Sequence, residues 1–328
     1  MSSASNSGKA GGRDDSDASR LEFRRIAVIG FGEAGTILAS DLAKAGCDVA
    51  TYDILFDARE VRDAMRAKAE RARVRAADSL ADAVKDAQLV VSAVTASSSG
   101  DVASGAALSM RAGQIFLDIN SCSPAKKQSS AKALEASGAD YVEAAVMAPL
   151  PPQRLKVPML LGGRRAADVA PALTKLGMNA KAIAVEIGVA SAVKMCRSVV
   201  IKGIESLAVE SMLAARQFGA EEQVLASLNQ TYPGIGWDKD LPDYLISRVA
   251  EHGRRRAAEM REVARTLEDV GMVPTMATAI AERQDQLIDA MNAKGIGYEQ
   301  NAKFSWRALA DALASPAADA PTNTKPAR

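Results

Sequence analysis

The amino-acid sequence predicts an α/β fold, a Rossmann-type doubly wound parallel sheet followed by an all-α domain. Three observations carry this reading. Short apolar runs alternate with helical periodicity from Arg25 to about Gly188, a glycine triplet opens the first helix, and beyond Gly188 long helical stretches replace the strand signals. A chain of 328 residues is also long for one hydrophobic core, so two folded units are expected.

The elements follow in order. RIAVIG is a short apolar run ending at Gly30, a helix is expected over 34–45, and after Gly46 the run DVATYD supplies a second strand. A helical, Arg-rich segment over 57–71, a weak strand near Val74, the helix SLADAVKDA and the strands QLVVSAV and QIFLDIN continue the alternation. Such alternation puts helices on both faces of a parallel sheet. A helix over 125–137 leads to YVEAAVM and PMLLGG, two strands that extend the sheet. Helices are then expected over 190–218, 221–228, 243–270 and 276–292. The first is apolar around most of its circumference, with Val189, Val193, Met195, Val199, Val200 and Ile201, which predicts burial between domains or subunits. The resulting division is a flexible tail over 1–22, an α/β domain over 23–187, a helical domain over 188–314 and a second tail over 315–328.

Composition narrows the partners. With 41 basic and 40 acidic side chains there is no electrostatic case for nucleic acid or an anionic membrane, so the expected partner is a small molecule. No run of about 18 apolar residues is present, which excludes a membrane helix. The opening MSSASNSGKAGGRDDSDASR contains acids and no apolar run, unlike a secretory signal. Cys47, Cys122 and Cys196 are odd in number and lack paired spacing, which suits a reducing cytoplasm and argues against a zinc cluster; no metal is assigned.

Gly30-Phe31-Gly32-Glu33-Ala34-Gly35 follows a strand and opens a helix. Gly30 permits a tight turn, Gly32 lets the backbone approach a pyrophosphate, Gly35 allows close helix packing, and the helix N-terminus offers amide donors to phosphate. Asp53 closes the second strand, where its carboxylate can accept from both ribose hydroxyls; this favours NAD over NADP, with Arg59 and Arg62 leaving NADP possible. Val94 and Thr95, at the end of QLVVSAV, complete the cofactor-binding set.

On the substrate side, Asp118-Ile119-Asn120-Ser121-Cys122-Ser123-Pro124 joins a strand to a helix that starts with a hydroxyl cap and a proline. Asn120 and Ser121 thereby fall at the crevice where open parallel sheets bind ligands. Further on, Ser191, Lys194, Ser198, Lys202 and Glu205 recur at three- and four-residue spacings as one polar stripe on an otherwise apolar helix. A buried lysine is rare unless paired or functional. Burial and the charges of Arg197 and Lys202 favour the neutral amine of Lys194, the form that takes up a proton, whereas Lys202 and Glu205 read as an ion-pair ladder. His252, Arg255, Arg256 and Glu259 share a helical face in HGRRRAAEM and are candidates for holding an anionic substrate. Trp237 and Tyr244 precede that helix as lid or core aromatics.

The glycine fingerprint, the DxNSxxP segment and GxAxxxKMxRS, in this order over about residues 24–290, resemble the β-hydroxyacid dehydrogenases, which include 3-hydroxyisobutyrate and 6-phosphogluconate dehydrogenases. The resemblance implies that Lys194 is the catalytic acid/base, that Asn120 and Ser121 contact substrate, and that Arg197 and Ser198 lie in the substrate site, Ser198 standing where the family usually has asparagine. A homodimer is expected. Val146-Met147-Ala148-Pro149 occupies the place of a Ser-Gly-Gly carboxylate loop, and Met147 and Pro149 cannot supply the same donors. A bulkier or less acidic alcohol substrate fits that change. Two further chemistries stay open beside hydride transfer: retro-aldol or decarboxylating carbon–carbon cleavage using the same lysine, and a non-catalytic NAD sensor. Imine reductases share the architecture but generally lack the lysine.

Overall fold

The computed structural model describes residues 21–300 and 302–315, so the tails expected over 1–22 and 315–328 fall almost wholly outside them. The chain divides between Ser191 and Ala192 into two compact units.

The first unit runs β1 (Arg25–Ile29), α1 (Glu33–Lys44), β2 (Asp48–Tyr52), α2 (Arg62–Arg71), β3 (Arg75–Ala76), α3 (Leu80–Val84), β4 (Leu89–Ser92), α4 (Ser99–Ala107), β5 (Ile115–Asp118), α5 (Pro124–Glu135), β6 (Asp140–Val146), α6 (Leu150–Gln153), β7 (Pro158–Gly162), α7 (Ala166–Lys175) and β8 (Asn179–Ala184). The strands form one sheet in the order β3-β2-β1-β4-β5-β6-β7-β8. Its first six strands are parallel, β7 runs antiparallel to β6, and β8 is parallel to β7. The reversal has a simple cause: the connection over 147–157 is shorter than the crossover of about a dozen or more residues that a parallel return needs.

Burial follows strand alternation. Ile26 and Val28 of β1 join Leu38 and Leu42 of α1 on one face, while Ala27 and Ile29 join Phe116 and Leu134 on the other. The helix expected over 57–71 starts only at Arg62. Before it, Ile54–Phe56 makes a 3₁₀ turn capped by Asp53, and the Arg62 guanidinium holds the carbonyls of Phe56 and Asp57. α7 and β8 lie outside the expected elements, because NAKAIA contains a single β-branched residue and reads equally well as helix. Arg154, at a left-handed φ of 52°, forks onto Asp41 of α1 with two 2.7 Å hydrogen bonds and ties the β6–β7 connection to the helix behind the glycine loop.

The remaining helices are α8 (Val189–Gln217), which begins at the end of the first unit, α9 (Glu221–Thr231), α10 (Leu241–Glu268), α11 (Thr275–Ala293) and α12 (Trp306–Ala314). In the second unit, Met195, Met260, Val263 and Ile280 form one apolar cluster; Met212, Ile246, Leu287 and Trp306 belong to another. α12, a short amphipathic helix that the sequence reading omits, is anchored by the buried Trp306, whose amide donates to Asp243 at 2.8 Å. Trp237 packs against the larger cluster, whereas Tyr244 is exposed.

Within the single chain α8 is only partly buried. Met195 is buried, but Val189, Val193, Val200 and Ile201 are exposed in the single chain, and with Ile204 and Leu207 they form an aliphatic stripe along one side of the helix. No helix of the described residues is long and apolar enough to cross a membrane.

Candidate active site

Strand order reverses between β1 and β4, and the glycine loop sits at the carboxyl end of β1 at this switch point. Gly30 has φ 90° and donates its amide to Tyr52 O at 2.8 Å; a Cβ there would lie 2.4 Å from Ala93 O. A Cβ on Gly35 would lie 1.8 Å from Gly30 O, so α1 can rest on the loop only without a side chain. Gly32 is different: it is exposed, nothing lies within 4 Å of its Cβ position, and as N-cap of α1 it makes no side-chain cap bond. Open backbone at an uncapped helix N-terminus fits the pyrophosphate of a dinucleotide.

Phe31 contributes backbone only, because its ring is fully buried against Phe56. Its amide donates to Asp53 Oδ2 at 2.6 Å and its carbonyl accepts from Lys68 Nζ at 2.7 Å. Asp53 Oδ1 accepts from Leu55 N at 3.0 Å, so this acid, expected to meet the ribose, braces both the glycine loop and its own turn. Lys68 is absent from the sequence-predicted set; one lysine among the arginines of α2 gives no signal for this contact. Glu33 and Thr95 are exposed, and Ala34 and Val94 are half-buried.

The ends of β4 and β5 are joined by Asn120. Its Oδ1 accepts from Val94 N at 2.7 Å and its Nδ2 donates to Ser92 Oγ at 2.9 Å. Its amide is therefore already engaged in strand-end geometry, and Ser121 beside it is half-buried. Beneath both lies a buried ionic cluster. Asp118 accepts from Lys127 Nζ at 2.8 Å, from Asn120 N at 2.9 Å and from Tyr141 Oη at 2.6 Å. Burial, followed by the Asp118 charge, holds the Tyr141 hydroxyl well above its ordinary range, so it remains a donor.

The two substrate-side motifs meet within the first unit. Gln128 Nε2 donates to Ile187 O at 3.1 Å, and a Cβ on Gly188 would lie 3.2 Å from Pro124 Cβ. The DxNSxxP segment thus packs against the residues that start α8. Glu143, fully buried in β6, accepts the amides of Gly188 at 2.7 Å, Ala190 at 3.0 Å and Ser191 at 3.3 Å. Glu143 is also missing from the predicted set, although a lone acid within the apolar run YVEAAVM is a readable signal.

Lys194 lies one turn beyond Ser191 on α8 and is half-buried; Ser198 is half-buried too, and Arg197 is exposed. The expected Lys202–Glu205 ladder takes another form. Lys202 pairs with Glu259 of α10 at 2.9 Å, and Glu205 pairs with Arg256, so both bonds run between helices. Burial works against ionisation of Glu259, but Lys202, Arg255 and Lys194 outweigh it and hold its carboxyl below the ordinary range. At Glu205 burial wins over Arg256 and Lys202, and the carboxyl is pushed up. Arg256, a candidate substrate contact in the sequence, is buried and pairs two helices through Glu205. Arg255 is exposed and reaches Glu259 at 3.6 Å. His252 Nε2 lies 3.3 Å from Glu251, and burial lowers its pKa.

Residues 25–186 match the NAD binding domain of 6-phosphogluconate dehydrogenase, and residues 215–287 match a domain of unknown function, DUF1932. A conserved hypothetical protein from Sinorhizobium meliloti 1021 is 37% identical with a TM-score of 0.76, over 92% of this chain and 99% of that one. A second conserved protein of unknown function, described as structurally similar to 3-hydroxyacid dehydrogenases, is 30% identical with a TM-score of 0.67, over 81% of this chain and 97% of that one. The chain belongs to the β-hydroxyacid dehydrogenase family. Its first unit matches a nicotinamide-dinucleotide-binding domain. Mycobacterium tuberculosis 3-hydroxyisobutyrate dehydrogenase, solved with L-serine, shares the fold at a TM-score of 0.69 and 16% identity, covering 90% of this chain and 100% of that one.

Proposed function

We propose that this chain oxidises the alcohol carbon of a β-hydroxyacid-like or bulkier substrate, with Lys194 as general base and NAD as the preferred cofactor. The observation that carries the reading is the packing of Pro124 and Gln128 against Ile187 and Gly188: the loop beside the dinucleotide site adjoins the start of the helix that bears the lysine. When bound, the nicotinamide supplies the acceptor for the hydride that leaves the alcohol carbon. Lys194 takes the hydroxyl proton as the carbonyl forms and returns it to the alkoxide in the reverse direction. Ser121, and Ser198 on the turn after Lys194, orient the substrate, while Asn120 holds the ends of β4 and β5 in place. Asp53 supports NAD, because a 2′-phosphate would meet its carboxylate.

The test is Lys194→Ala. Turnover, read as NADH appearance in a screen of β-hydroxy acids and larger alcohols, falls by roughly 10²- to 10⁴-fold, while NADH binding stays at the wild-type value and exceeds NADPH binding. Equal turnover in variant and wild type sinks the mechanism, and tighter NADPH binding sinks the cofactor assignment.

The aliphatic stripe on α8 supports a homodimer, a second copy being the partner that covers a repeated apolar face of this kind. Light scattering then gives a dimer for the wild type and a monomer for Val200→Asp combined with Leu207→Asp; a monomeric wild type removes the assignment. Three free cysteines, Cys47, Cys122 and Cys196, support a reducing, cytoplasmic setting.

A further inference from the structure

Helix α8 is started by a side chain from the sheet. Its N-cap position is Gly188, at φ 109°, which offers no side chain to the first-turn amides. The carboxylate of Glu143 does this instead, from 45 residues upstream, by accepting three of those amides. Ser191 Oγ adds a fourth bond within the turn, donating to Gly188 O at 3.0 Å. The surroundings are shaped to this carboxylate. Gly162 stands opposite Glu143 in the β6–β7 register, and a Cβ there would come within 2.6 Å of Glu143 Oε1. Glu143 is fully buried, and its titratable neighbour Tyr141 is held neutral.

We propose that Glu143 is the positioning residue for Lys194: a carboxylate from the sheet that fixes the place of the first turn of α8 and the field along it. The inference rests on the reading of Lys194 as the acid/base group. Three residues, about 4.5 Å of helix rise, separate Ser191 from Lys194, so the amide ends that Glu143 neutralises belong to the turn just below the lysine. Without the carboxylate, those amide ends present uncompensated positive potential to the ammonium form. Arg197 and Lys202 share α8 with Lys194, and Lys194 acts with Lys202 and Arg255 on the Glu259 carboxyl of α10.

The experiment is competitive acetylation of the full chain across pH, with peptide mapping of Lys194 and with Lys132 and Lys175 as internal references. Glu143→Gln, which keeps the shape and removes the charge, moves the labelling midpoint of Lys194 down by about 0.2–0.7 pH unit, the size expected of a helix-terminus charge. Glu143→Asp, which keeps the charge, brings the midpoint back towards wild type. Glu259→Gln moves it in the same direction and shows that the method detects a lost carboxylate. If Glu143→Gln does not fold, Gly162→Ala displaces the carboxylate without removing it and gives the same downward shift. A folded Glu143→Gln or Gly162→Ala protein with an unmoved Lys194 midpoint overturns the proposal. On a substrate returned by the alcohol screen, Glu143→Gln lowers kcat about tenfold or more while KM stays within about twofold, as misplacement of a reacting group predicts; unchanged kcat overturns it. A midpoint shift together with full turnover in Lys194→Ala supports the positioning and refutes the catalytic reading of Lys194 instead.

Discussion

The two units use buried charge differently. In the first, Asp118 and Glu143 serve the backbone and its loops: Asp118 gathers Lys127, Tyr141 and the Asn120 amide under the crevice, and Glu143 takes three amides at the start of α8. In the second, buried ions serve one another, Lys202 with Glu259 and Glu205 with Arg256, across the pair α8 and α10. A charge bonded to backbone fixes local geometry and has no apolar substitute. A charge bonded only to another charge holds two helices together, a task that well-packed apolar side chains perform as well or better.

Removing one partner is the largest expected effect. Lys127→Ala and Arg256→Ala each leave a buried carboxylate uncompensated and cost about 3–5 kcal/mol, measured by urea unfolding. Replacing both partners separates the two uses. Glu205→Leu with Arg256→Met returns to within about 1 kcal/mol of the wild type or exceeds it. Asp118→Leu with Lys127→Met stays about 1–3 kcal/mol below it, because the Asn120 amide and the Tyr141 hydroxyl keep no acceptor. Trp237 and Trp306, the only tryptophans, both lie in the second unit, so their fluorescence reports that unit separately. Full recovery by both double variants erases the distinction.

The smallest expected effect concerns the exposed Arg154 fork on Asp41. The hydrogen bonds from Arg154 hold the Asp41 carboxyl below its usual 3.8. A carboxylate depressed in the folded state stabilises at pH values above its unfolded pKa and loses that contribution as pH falls through the folded one. Asp41→Asn is therefore less stable than wild type at neutral pH by a constant margin, and the margin closes below about pH 4. A margin independent of pH refutes the assignment.

What the sequence shows and what it hides follow the range of the interactions. The glycine loop is legible because strand, turn and helix are consecutive and the demands on Gly30, Gly32 and Gly35 are steric and local. Asp53 is legible for the same reason, although its bond to Phe31 N is not. The antiparallel β7 is a property of the assembled sheet, and NAKAIA resembles a helix until a neighbouring strand is in place. Arg255 and Arg256 illustrate the limit on a helix: one residue apart, one is exposed and the other is buried against Glu205, and periodicity alone cannot tell which turns inward until α8 is placed. Glu143 shows the reverse case, in which a charged residue inside an apolar strand marks a long-range task whose partner, 45 residues on, is undefined in the sequence.

Gly162 and Glu143 also have an evolutionary consequence. Because the would-be Cβ of one collides with the carboxylate of the other, neither position can drift alone. A lineage that gains a side chain at 162 must first shorten or surrender the acid at 143, and with it the anchor of α8. Relatives that keep the glycine and the acid together will have inherited the anchored helix.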